Sequence, residues 1–197
     1  MANDVTHVDG RVLRGRRNRQ AIVDALLELY NEGVIDPTAR QIAERAGVST
    51  RSVFAHFEDR ERLVEAVAST QAPKLARLVD PDPPDSDLQG RVEWLAMMRS
   101  QYFEETQSVA RAALRYRDDQ PAIARRMKRD GAVLRSQIEA VFARELAGRA
   151  GDDRDTCLEA LDATFGFELW RRLRSTQNLD GPRTSSVIAY IAYHLLA

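Results

Sequence analysis

Gly47 lies between two short amphipathic runs, and this spacing constrains the fold more than any other feature of the chain. In residues 38–57, TARQIAERAGVSTRSVFAHF, the apolar Ile42, Ala43 and Ala46 fall on one side of a helix that opens behind Pro37. Thr38 can cap that helix, because its hydroxyl can accept a free N–H of the first turn. Gly47 ends it, since the residue just past a helix C-terminus often needs a positive φ. Ser49 or Thr50 can then cap a second helix whose inward face reads as Val53, Phe54 and Phe57. Two short helices joined by a tight glycine turn form a helix-turn-helix unit. Its second helix would present Thr50, Arg51, Ser52, Ala55 and His56 outward, a small polar set able to enter a major groove.

The segment before this unit, RGRRNRQAIVDALLELYNEG, repeats Ile22, Ala25, Leu26, Leu29 and Tyr30 at helical spacing and stops at Gly33. Arg14, Arg16, Arg17 and Arg19 crowd the start of that helix. A helix N-terminus carries partial positive charge, so cations there are unfavourable unless an external polyanion neutralises them. Residues 1–13 show no periodicity and read as a mobile arm. The net charge of −1 gives no global preference for nucleic acid, so any basic surface must be local.

Asp59 can cap a fourth helix with Leu63, Val64 and Val67 inward, running to about Leu78. The run DPDPPDSD then breaks the helical pattern with three prolines among four aspartates. The spacing predicts further helices over Leu88–Glu105, Gln107–Tyr116, Pro121–Gly148, Thr156–Arg174 and Thr184–Leu196. No alternation of the β type occurs, and the chain reads as all-α with about nine helices. The expected division is a DNA-binding unit over 1–58, a connecting helix over 59–80 and a C-terminal helical domain over 81–197.

IAERAGVS followed by FAHFEDRERLVEAV resembles the N-terminal domain of the TetR family of transcriptional regulators, over about Asn18–Ala68. The resemblance implies a regulator that binds double-stranded DNA at a palindromic operator as a homodimer and is released by a small molecule. It assigns phosphate contacts to Thr38, His56 and Arg60, a guanine contact to Arg40, and base edges to Thr50, Arg51 and Ser52. Arg16 and Arg17 of the basic arm would meet phosphates. Phe54 stands where a tyrosine is common, which removes a hydroxyl-to-phosphate contact and assigns Phe54 to the core. Arg51 replaces a residue that is often small there, so the operator sequence does not transfer from relatives.

The same resemblance implies an effector cavity in the C-terminal domain. Trp94, Met97, Met98 and Tyr102 would line it, with Tyr116, Met127 and Phe165 facing them and Gln101 or Glu168 as orienting polar groups. A stripe of methionine and aromatic residues at helical spacing also reads as plain core. The last two helices would supply a four-helix dimer surface from Leu161, Phe165, Leu169, Ile188, Ile191 and Leu195, residues that also suit a subunit core.

An enzyme finds no support. His7, His56 and His194 are scattered, one cysteine (Cys157) makes no metal cluster, and neither a glycine-rich phosphate loop nor a GxSxG elbow occurs. No cofactor is expected. The lone cysteine, the absence of an apolar signal core in MANDVTHVDGRVLRG and the short apolar tail Val187–Ala197 point to a cytoplasmic protein without a membrane span. A helical scaffold protein that binds no DNA is the rival reading, but it leaves the basic arm, Arg40 and Arg51 idle.

Overall fold

The computed structural model describes residues 10–79 and 82–197. Ten α-helices follow one another: α1 (Gly10–Asn31), α2 (Ala39–Ala46), α3 (Thr50–His56), α4 (Arg60–Val79), α5 (Leu88–Tyr116), α6 (Pro121–Val141), α7 (Ala143–Ala147), α8 (Gly151–Thr164), α9 (Phe167–Arg171) and α10 (Gly181–Leu196). A π-helical turn, Arg172–Thr176, extends α9. No strand occurs among the described residues. The all-α reading therefore holds.

Several boundaries differ from the periodicity, and α8 and α10 begin at Gly151 and Gly181, before the expected Thr156 and Thr184. Helix α1 begins at Gly10, so residues 10–13 are helical; residues 1–9 of the expected arm lie outside the described residues, as do Asp80 and Pro81 of the acidic loop. The expected helices 88–105 and 107–116 are one continuous helix, α5. The buried Thr106 hydroxyl donates to the Tyr102 carbonyl at 2.8 Å, so it is satisfied within the helix. The run Pro121–Gly148 breaks at Phe142, which is fully buried, stacks 6.0 Å from Phe165 and leaves helical geometry at φ −110°. Thr156–Arg174 is divided at Gly166, where the backbone is extended and an added Cβ would stand 3.1 Å from the Asp162 carbonyl.

The chain folds into two compact units. One comprises residues up to Gln71 together with Ser108–Arg125; the other comprises Ala72–Gln107 and Arg126–Ala197. Helices α4, α5 and α6 each contribute residues to both.

The first unit buries Ile22, Val23, Leu26, Leu29 and Tyr30 of α1 against Ile42 and Ala43 of α2 and Val53 and Phe57 of α3. Leu63 and Val67 of α4, with Val109 and Ala112 of α5, complete this core. The second unit buries Leu95 and Phe103 of α5, Ile138 and Phe142, Leu158 and Leu161 of α8, Trp170, and Ile188 and Ala192 of α10. Phe103, Phe167 and Trp170 make an aromatic cluster with centroids 5.5–5.7 Å apart. No described helix is long and apolar enough to cross a membrane.

Candidate nucleic-acid interface

Local chemistry sets the α2–α3 turn. Thr38 caps α2 in a reciprocal box: its hydroxyl accepts from the Gln41 N–H at 3.2 Å, and its own N–H donates to Gln41 Oε1 at 2.8 Å. Gly47 adopts φ 65°, ψ 30°, the left-handed conformation that a residue with a Cβ resists, and the Val48 N–H returns to the Ala43 carbonyl at 3.0 Å. Ser49 caps α3 by accepting from the Ser52 N–H at 3.1 Å. The turn is therefore fixed by residues at most five apart. Arg45 clamps α2 to the end of α1 through two 2.8 Å bonds to the Glu32 carboxylate, which hold that carboxyl below its ordinary pKa.

The outer face of α3 carries Thr50, Arg51, Phe54 and Ala55, all exposed. Phe54 is one turn from both Thr50 and Arg51, so the three share a ridge. Its side chain is 59% exposed, which overturns its assignment to the core. Val53 and Phe57, four residues apart, already fill the inward face at 4% and 3% exposure, and Phe54 lies a third of a turn away. The helical wheel alone held that signal, because 50 with 54 and 51 with 55 form the opposite stripe. Ser52 and His56 are half-buried.

Arg14, Arg16, Arg17 and Arg19 are exposed on α1, and the Arg19 guanidinium lies 4.9 Å from the Phe57 ring centroid. His56 faces the same helix, since a Cβ at Gly15 would sit 3.9 Å from its Cε1. Arg40 is exposed and pairs with Glu44 one turn on at 2.9 Å, a solvated contact that an anion can displace at small cost.

Two expected phosphate contacts look different in three dimensions. The Thr38 hydroxyl and N–H are engaged by Gln41, so neither is held open for a phosphate. Arg60 is enclosed by the first unit: it pairs with Asp36, donates to the Pro37 carbonyl at 2.6 Å and to the Tyr116 hydroxyl, and lies 5.1 Å from the Tyr116 ring centroid. Arg60 is thus a tie within the unit. Burial, reinforced by a hydrogen bond to Asp36, pushes the Tyr116 phenol up to about 12. That bond and the adjacent Arg60 keep Asp36 ionised below the usual carboxylate range.

Tyr116, expected to line the effector cavity, is buried in the first unit. The remaining candidates lie in the second unit. Phe165 is buried at 2% exposure, Trp94, Met98, Tyr102 and Met127 are half-buried, and Gln101 and Glu168 are exposed. The groove found there, about 830 Å³, runs instead along α10 and the start of α5, between Gln89, Glu93, Val187, Tyr190 and His194. Among the expected dimer residues, Leu161, Phe165 and Ile188 belong to the subunit's own core. Leu169, Ile191 and Leu195 are half-buried, while Tyr190 on α10 is 67% exposed. No group of three or more potential metal ligands occurs among the described residues.

Residues 22–67 match the model of the bacterial regulatory proteins, tetR family. The tetracycline repressor protein class D of Escherichia coli is 34% identical over 104 residues, which are 52% of this chain and 43% of that protein. The HTH-type transcriptional regulator BetI of Escherichia coli is 49% identical over 49 residues, 24% of this chain and 25% of its own. This chain therefore spans less than half the length of the curated relatives it matches. Among solved structures, a transcriptional regulator from Rhodococcus sp. Rha1 aligns with a TM-score of 0.68 at 19% identity, over 92% of this chain and 95% of its own. A SmeT–triclosan complex aligns with a TM-score of 0.63, also at 19% identity and over 90% of each chain. The structural likeness extends the shared fold across both units.

Proposed function

Because the chain belongs, through residues 22–67, to the tetR family of bacterial regulatory proteins, we propose that it is a DNA-binding transcriptional regulator acting as a ligand-released repressor. The observation that carries this reading is the exposed ridge of α3, Thr50–Arg51–Phe54–Ala55, standing on a buried base of Val53 and Phe57. Arg51 supplies a guanidinium that can grip guanine O6 and N7 together, and Arg40 supplies a second. Arg16 and Arg17 on the exposed side of α1 supply phosphate contacts without sequence preference.

One seven-residue helix reads too few base pairs for a specific site. Two copies related by a twofold axis read successive major grooves, which calls for a palindromic operator. The outward face of α10, with Tyr190 and the half-buried Ile191 and Leu195, is the surface we assign to the second copy. The second unit takes the effector role. A fold neighbour, SmeT, is seen with triclosan, which supports a small organic effector for this chain. An effector that binds one arrangement of the reading heads better than the other suffices to release the DNA.

Gel-shift of the full chain on genomic fragments at two salt concentrations tests this. A DNA reader binds a subset of fragments tightly and loses affinity steeply as salt rises. Absence of a shift on every fragment at the lower salt would overturn the reading.

A further inference from the structure

Phe54 is the one large ridge residue that the proposed contacts leave unused. Phe54 is 59% exposed although the unit's core lies directly behind α3. Isolated exposed apolar side chains are ordinary on protein surfaces. This one is not isolated from the proposed reading surface: Thr50 precedes it by four residues, Arg51 by three, and Ala55 follows it. At those spacings Phe54 is one turn from both Thr50 and Arg51, and Ala55 is one turn from Arg51. Whatever Arg51 reaches, Phe54 lies beside.

A phenyl ring has no hydrogen-bonding group, so its role is set by what it desolvates. Against a phosphate, or against the O6, N7 or N4 edge of a base, it would strip water from a polar group and return nothing. The major groove offers one apolar group, the C5 methyl of thymine. Deoxyribose carbons are apolar too, but they lie along the backbone, away from a ridge that also carries base-reading Arg51. We propose that Phe54 is a specificity-determining residue that packs its ring on the C5 methyl of a thymine in each half-site, next to the base pair reached by Arg51. The inference rests on the DNA-reading function above and adds what that function leaves open, one base identity in the operator.

The test replaces thymines one at a time by deoxyuridine, which removes the methyl and keeps every hydrogen bond. Operator fragments are first recovered from genomic DNA by binding to the full-length protein. Affinities of the wild type, Phe54→Ala and Phe54→Leu are then measured by fluorescence anisotropy on the native and substituted duplexes. Burying one methyl corresponds to about a fourfold change in affinity, hence about fifteenfold when both half-sites lose it. The wild type should show that loss at one thymine position per half-site. Phe54→Ala should bind the native operator more weakly and be indifferent to deoxyuridine at that position alone, while Phe54→Leu should keep most of the sensitivity.

Three results would overturn the inference while leaving DNA reading intact: no methyl-sensitive position, the same deoxyuridine loss in Phe54→Ala as in the wild type, or a Phe54→Ala defect equal on operator and random DNA. A Phe54→Ala change in oligomeric state, with DNA affinity unchanged, would assign the ring to a protein contact and overturn it as well. Failure of the wild type to prefer any fragment would remove both readings together. Because Phe54 contributes nothing to the buried core, circular dichroism of the variants should match the wild type, and the binding data then report on contact alone.

Discussion

Arg99 is held inside the second unit at 1% exposure, and replacing it should make the protein more stable. Its Nη2 donates to the Leu134 carbonyl of α6 at 2.5 Å, while Nε and Nη1 have no partner. Asp162, a carboxylate whose charge acts on it, forms its 3.4 Å ion pair with Arg135 instead. Burial therefore dominates and lowers the guanidinium pKa from 12.5 to about 10, against smaller opposing effects of Tyr102 and Asp162. At about 1.4 kcal/mol for each pKa step, keeping this charge inside costs on the order of 3 kcal/mol. The sign follows from proton counts. The unfolded chain binds the proton more tightly, so the cost is full at pH 7 and lessens only as pH rises between the folded and unfolded values. Methionine matches the length of the arginine stem and carries no charge. Loss of the Leu134 bond removes about 1 kcal/mol, because that carbonyl stays inside α6. Arg99→Met should thus gain about 2 kcal/mol, or roughly 4–8 °C in Tm for a chain of this size. Urea unfolding at pH 7, followed by circular dichroism at a fixed protein concentration, reads this as a higher midpoint with an unchanged slope. A lower midpoint would show that the folded protein compensates the buried charge, and the reasoning from the unpartnered nitrogens would be wrong.

On the operator, Arg40→Ala and Arg51→Ala should each weaken binding by about 1–3 kcal/mol and leave random DNA less affected; anisotropy titrations that find equal losses would make them phosphate contacts. Arg16→Ala should lower affinity on every sequence alike and reduce the slope of log K against log salt by about one, and an unaltered slope would exclude a phosphate contact. Arg91 and Glu145 are paired at 2.6 Å with 11% and 16% of their side chains exposed, and Arg91 also donates to the Val141 carbonyl. Glu145→Gln should cost about 2 kcal/mol at pH 7, below the value for a fully buried pair because some solvent reaches both groups. The Arg91 hydrogen bond holds the Glu145 carboxyl below its ordinary 4.5, so its stabilisation is full above that value and fades as pH falls through the lowered one. Denaturation curves of the two proteins should converge in that acid window, and a gap that persists there would refute the assignment.

What could be read from the amino-acid order follows the sequence separation of the groups involved. The Thr38 and Ser49 caps reach their partners within three residues, and Gly47 acts on the turn beside it. The helix-turn-helix was legible for that reason. Helix extents failed where local residue type misled: α5 continues through Thr106, whose hydroxyl returns to the Tyr102 carbonyl, and Gly166 interrupts a run that the spacing made continuous. Partners far along the chain were not legible. Arg60 meets Tyr116 across 56 positions and Arg91 meets Glu145 across 54, and no periodicity encodes either pair. This bears directly on the proposed reading head, because a sequence counts every arginine near a helix-turn-helix as available to DNA. Folding commits Arg45 to Glu32 and Arg60 to Asp36 and Tyr116, and sets Arg19 over Phe57. These arginines hold the three helices in place, while Arg14, Arg16, Arg17, Arg40 and Arg51 remain exposed at the surface. Positive charge thus divides into a part that builds the scaffold and a part that can meet a polyanion, and the apolar Phe54 stands among the second.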